Sequence, residues 1–163
     1  MDQLTIAHSI GNHIPAMIAY WDASQRCVFA NMAYREWFGR TPDEMSGITL
    51  ERLLGPELYR KNRTYIEKAL TGEIQIFERQ IPLPTGEIRE SIATYTPDLV
   101  NGEVRGFIAH VADVTRLRKR EMVLQQTIAE TISVLERTKR SFHSKELGAL
   151  RERLEELQRV VSP

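Results

Sequence analysis

The run EIQIFERQIPL (73–83), followed by EIRESIATYTP (87–97) and EVRGFIAHVADVT (103–115), decides the fold. In each run apolar and polar residues alternate, the period of a strand with one face on a core and one toward solvent. Thr85-Gly86 and Asn101-Gly102 separate them, and Asn-Gly between two alternating runs is the strongest short signal for a hairpin. Three consecutive antiparallel strands are therefore expected.

Working backward, AMIAYWD (16–22) and RCVFAN (26–31) are rich in β-branched and aromatic residues and flank a polar turn, so they read as strand, turn and strand. Between these strands and the later three lie helical pieces. NMAYREWFG (31–39) ends in a glycine suited to a left-handed terminus. TPDEMSG (41–47) has the order of an N-cap and first turn. ITLERLLGP (48–56) is a short helix. PELYRKNRTYIEKALTG (56–72) is the longest, with Leu58, Tyr65, Ile66, Ala69 and Leu70 on its apolar face and Gly72 at its stop. Residues 1–14 carry Leu4, Ile6, Ile10 and Ile14 at helical spacing. Helices clustered between the second and third of five strands make an α+β domain over residues 15–115.

Residues 116–163 differ. No Gly or Pro occurs in 116–140, where Leu117, Leu124, Ile128, Ile132 and Leu135 form a narrow stripe. After SFHS (141–144), with Ser144 as an N-cap, a second helix over about 145–161 carries Leu147, Leu150, Leu154, Leu157 and Val161 at 3-4-3-4 spacing. Such thin seams need a partner, either within the chain or on another chain. The leucine seam is the expected oligomer or partner contact.

Composition narrows the function. The 163 residues are 42% hydrophobic and 27% charged, enough for one real core. No apolar run reaches bilayer length and MDQLTIAHSIGNHIP is no secretory leader, so a cytoplasmic protein is expected. The lone Cys27 excludes an internal disulfide and a multi-cysteine zinc site. Net charge is +0, yet residues 1–115 hold 11 basic and 15 acidic residues and residues 116–163 hold 11 and 7. That marks a boundary near 115 and argues against a basic nucleic-acid-binding domain. No Gly-rich phosphate loop, nucleophile elbow or metal-spaced cluster occurs, so no catalytic residue and no metal ligand is expected. Glu155-Glu156 and Asp43-Glu44 read as solvated charges.

In order and spacing these motifs resemble the PAS family of sensory domains over about residues 12–120. The matching pieces are YWDASQRCVFAN with Asp22 and Asn31, NMAYREWFG leading into TPDEMSG, and Gly106 to Asp113-Val114-Thr115 followed by RLRKRE. Asp22 suits an Asx-type turn closure and Asn31 a helix cap. The resemblance implies a five-stranded antiparallel sheet with small helices on one face. It also implies that Asp113 and Thr115 form the junction handing a signal to the outgoing helix. By alternation and resemblance together, Phe29, Phe77, Arg79, Ile81, Ser91, Ala93, Tyr95, Ala109 and Val111 face inward and are the candidate lining of a ligand pocket. Arg79 either holds a carboxylate or phosphate of an unknown small molecule, or pairs with an acid such as Glu78 or Glu90.

Cofactors are not expected. The photoactive cysteine of flavin-binding members falls on Leu50, and the long helix has no histidine for haem. His110 falls on the outer sheet face. By resemblance, the N-terminal helix and the outer face at Ile108, His110 and Ala112 suit self-association, so a homodimer is expected. A protein partner such as a signalling kinase or regulator is expected in trans, since no effector follows Pro163. Two alternatives stay open. One is a DNA-associated regulator using RLRKR (116–120). The other is a sensor-kinase fragment, which FHSKELGAL (142–150) with His143 faintly echoes.

Overall fold

A computed structural model describes residues 3–139 and 145–161. The chain divides into two compact units, one ending at Val114 and the other beginning at Thr115. In the first, α1 (Gln3–His13) precedes the hairpin β1 (Met17–Asp22) and β2 (Cys27–Ala30). Next come α2 (Ala33–Phe38), α3 (Pro42–Met45) and α4 (Leu50–Leu70), then β3 (Gln75–Pro82), β4 (Ile88–Val100) and β5 (Glu103–Asp113). All strand pairs are antiparallel in one five-stranded sheet of order β2-β1-β5-β4-β3. The last strand therefore lies at the centre, beside the first.

Local chemistry accounts for the joints. Asn101 and Gly102 both have positive φ (53° and 85°), which turns β4 directly into β5. The Asp22 carboxylate accepts the backbone N–H groups of Ser24 and Arg26, at 2.9 Å each, closing the β1–β2 turn. Thr41 and Glu44 form a reciprocal capping box at α3. α4 breaks at Gly55 (φ 72°, ψ 166°), and Pro56 then opens its longer segment, where a missing N–H costs nothing.

Alternation places Met17, Ala19 and Trp21 of β1, Ala93 and Tyr95 of β4, and Phe107, Ala109 and Val111 of β5 on one buried face. Tyr34, Trp37, Met45 and Ile66 of the helices are buried in the same core. Fully burying side chains of this size contributes about 1.5–3 kcal/mol each before the entropy of ordering the chain is counted.

Two expectations are corrected here. Phe29 does not face inward. A β-bulge in the β1–β2 pair sets Tyr20 opposite Phe29 but Trp21 opposite Cys27, which shifts the alternation by one. Cys27 and Ala30 are buried, whereas Phe29 lies against Gly11 of α1 on the other face. Asn31 does not cap α2. Its Nδ2 donates to the carbonyls of Gly11 and Ala16 at 2.8 Å, and its Oδ1 accepts from Ile18 N at 3.0 Å. It fastens α1 to the start of the sheet instead.

In the second unit α5 (Thr115–Lys139) and α6 (Lys145–Val161) pack on each other. Ile128 of α5 is buried and Leu147 and Leu154 of α6 are half-buried, while Leu150 and Leu157 remain 47% and 48% exposed. The leucine seam is thus shared between an intrachain contact and solvent. Ser144 and His143 lie outside the described residues, as does the side chain of Val161.

Candidate functional site

Of the residues expected to line a pocket, all but Phe29 point to the inner face. Phe77, Ile81, Ser91, Ala93, Tyr95, Ala109 and Val111 are buried and Arg79 is half-buried. Much of that face is filled by aromatic rings. Tyr65 of α4 stacks on Phe77 with centroids 3.8 Å apart, Phe77 meets Tyr95 edge-on at 5.1 Å, and Tyr95 lies 4.8 Å from Phe107. Ser91 is occupied structurally, its hydroxyl donating to the Arg79 carbonyl at 3.0 Å.

Arg79 is the polar centre of this face. Its Nη1 donates to the Tyr95 hydroxyl at 3.2 Å, and its guanidinium carbon lies 5.7 Å from the Phe77 ring centroid. Among the described residues no carboxylate pairs with it, so pairing with Glu78 or Glu90 is not what the structure adopts. Arg79 Nε is buried and has no hydrogen-bond acceptor. Nε1 of Trp21, a residue with no exposed surface, makes no well-aligned hydrogen bond but has the Tyr34 hydroxyl beside it. The Tyr34 hydroxyl shares this environment. Burial pushes it far above the ordinary phenol range, and the Arg79 charge pulls the other way. Buried donors of this kind ordinarily find partners, and each one left without costs about 1–3 kcal/mol.

Sequence reasoning missed Trp21, Tyr34 and Asn62. Trp21 shares the alternation of Met17 and Ala19, so its inward position is readable from the strand period. Asn62, 1% exposed with Nδ2 unpartnered, sits four residues from both Leu58 and Ile66 on the apolar stripe of α4. A polar residue at an apolar helical position is the available signal.

A second constellation surrounds the expected relay junction. Arg89 of β4 donates to Glu36 of α2 at 2.6 Å and pairs with Asp113 at 3.4 Å, its guanidinium lying 5.1 Å from the Trp37 ring centroid. Partial burial opposes its charge, but the hydrogen bond to Glu36 and the charges of Glu36 and Asp113 hold its pKa above the ordinary value. Val114 N donates to the Glu90 carbonyl at 2.9 Å, and α5 begins at the next residue, Thr115. Among the described residues, no cluster of His, Cys, Asp or Glu is arranged to hold a metal, and no helix is long and apolar enough to cross a membrane.

Comparison with known proteins gives consistent findings. Residues 12–119 match the family described as PAS fold. The probable diguanylate cyclase DgcE of Escherichia coli is 28% identical over 99 residues, 59% of this chain but only 9% of that protein. The PAS domain of BvgS from Bordetella pertussis superposes with a TM-score of 0.58 at 25% identity, covering 78% of this chain and 99% of that one. VqmA of Vibrio cholerae, solved in complex with a ligand and DNA, gives a TM-score of 0.59 at 23% identity over 71% of this chain and 52% of that one.

Proposed function

Because the chain belongs to the PAS-fold family, we propose that its first unit is a non-catalytic sensory module. Its inner face takes a small molecule, and the response leaves through the helix that follows β5. Arg89 carries this reading. One guanidinium bridges α2, on the helical side, and Asp113, the last residue of the strand from which α5 departs. A ligand that favours one packing of the inner face biases that bridge and with it the direction of α5. This is a shift between two populations.

The residues do not suit flavin photochemistry or haem ligation. Buried Leu50 stands where the photoactive cysteine would be needed, and α4 carries no histidine. The exposed Ile108 of the outer sheet face, with Leu150 and Leu157 of α6, supports a second copy or a signalling protein as the receiver. VqmA has been solved as a dimer. Native mass spectrometry of the purified full chain, before and after denaturation, tests the reading. A bound small molecule released on unfolding supports it. A chain that stays free of small molecules on exposure to a metabolite extract contradicts it.

A DNA-associated regulator is the second reading. It is favoured by Arg116, Lys119 and Arg120, which line one groove of α5 with Val123 and Leu124. It requires duplex affinity that falls steeply with salt, which a gel-shift titration at two ionic strengths measures.

A further inference from the structure

We propose that α6 pairs with α6 of a second copy of this chain, in parallel and in register. A second copy is thereby named as the receiver, and what the contact transmits rests on the sensory reading above. Leu147, Leu150, Leu154, Leu157 and Val161 follow a heptad, with Leu147, Leu154 and Val161 at a and Leu150 and Leu157 at d. α5 covers one edge of that seam. Among the described side chains of α6, Leu147, Arg151, Leu154, Glu155 and Gln158 are half-buried, so burial centres on the a and e positions. Leu150 and Leu157 each precede one of the e residues, a step of about 100° round the helix. They stay about half exposed. Leu124 of α5, one turn before the buried Ile128, is exposed too, so neither helix seals the other.

Charge selects the occupant and its direction. Glu146, Arg153 and Val160 hold the g positions beside the seam, and Arg151 and Gln158 the e positions. In a parallel, in-register pair, g of one helix meets the e residue five further along the other. Glu146 then meets Arg151 of the second copy, twice by symmetry, Arg153 meets the neutral Gln158, and every leucine meets its own equivalent. Arg151 Nε lies 3.3 Å from Glu155 of its own helix, and a guanidinium has further donors for Glu146 of the second copy. An antiparallel pair that sets Leu150 against Leu157 brings the two Arg153 side chains together at its two-fold axis, like charge on like. The antiparallel register that matches Glu146 with Arg153 instead sets Lys145 opposite Leu154 and Glu152 opposite Leu147. The parallel pair alone joins the leucines and satisfies the charges.

The test uses the full chain with Cys27→Ala and one new cysteine, Leu150→Cys or Leu157→Cys. Identical d residues face each other in the parallel pair, within disulfide reach. In the antiparallel pair they stand about 10 Å apart along the axis, beyond the roughly 7 Å that a disulfide spans between Cα atoms. In a thiol–disulfide buffer each variant should cross-link with itself. An equimolar mixture, read by peptide mapping, should give only the two like-with-like products. Sedimentation of the unmodified chain should report a dimer. Glu146→Arg should weaken it about 2- to 30-fold, the range for losing two partly exposed ion pairs, and adding Arg151→Glu should restore it.

Preferential joining of Leu150→Cys to Leu157→Cys overturns the parallel direction. A monomer on sedimentation, with no cross-link from either cysteine, overturns self-association and leaves the sensory reading standing. A dimer that ignores Glu146→Arg while neither cysteine cross-links overturns the assignment to α6. A chain that cross-links as expected but releases no small molecule in native mass spectrometry keeps the pairing and overturns the sensory reading alone. Should the variant with Arg151→Glu fail to fold, the cysteine variants, both at half-exposed positions, decide.

Discussion

Arg79 reaches Tyr95 across two inward rungs of the β3–β4 ladder, its Nη1 lying 3.2 Å from the tyrosine oxygen. Arg79 stands opposite Ser91 and Tyr95 opposite Gln75, and the rung between them pairs Phe77 with Ala93. The methyl group of Ala93 leaves the diagonal open. A larger residue there would block it, and the guanidinium would turn away from the core.

Ala93→Leu should therefore destabilise the first unit by about 1–3 kcal/mol, the usual cost of overpacking a filled core. Urea unfolding measures it. The smaller change Tyr95→Phe removes the acceptor and keeps the ring, so its loss should be about 0.5–1.5 kcal/mol. An Ala93→Leu variant as stable as the original would show that the diagonal is not filled as described.

Gly106→Ala should be costly for a different reason. Gly106 faces Asp22 across the β1–β5 pair, and a Cβ there would run into the Trp21 carbonyl. Close backbone approach in a strand admits only glycine. The expected loss is about 1–3 kcal/mol, with β1 showing the largest rise in amide exchange. Unchanged stability would contradict the packing of the first strand on the last.

Cys27 gives a pH prediction. Burial raises its thiol from 9.0 to about 11, against a weaker opposing effect from a backbone hydrogen bond of Phe29. The native state thus holds this proton more tightly than the unfolded chain does. Stability is unaffected below pH 9.0 and falls as pH rises toward about 11. The loss reaches on the order of 2 kcal/mol. Cys27→Ala should flatten that decline in urea midpoints taken across the window. An equally steep decline in the variant would place the titration elsewhere.

Much of this fold is legible in the sequence. The three alternating runs, Asn101-Gly102 and the Thr41–Glu44 cap are local signals, and local signals survive tertiary packing. Phe29 departs from its expected face because a bulge at one residue inverts every later face of a strand, and nothing in CVFA announces it. Asn31 escapes a local reading because its true partners, Gly11 and Ala16, lie 20 and 15 residues away. Arg79 stands out in the sequence, but its choice between an acid and a tyrosine depends on a diagonal that only the strand register fixes.

The leucine seam of α6 gives a prediction confined to the second unit. Leu154→Glu should loosen α6 from α5, because Leu154 is half-buried where the two helices pack. Helical circular dichroism should fall while the unfolding midpoint of the sheet domain holds. Loss of both together would show that the two units do not fold independently.

The relay through Arg89 is the central claim, and amide exchange at Asp113–Arg120 tests it most directly. It is compared in the full chain and in Arg89→Met, which removes the bridge between Glu36 and Asp113 and keeps the chain's length and bulk. The prediction is faster exchange at these residues in the variant, with exchange in the middle of β1 unchanged. Exchange at Asp113–Arg120 that is the same in the two proteins would contradict it.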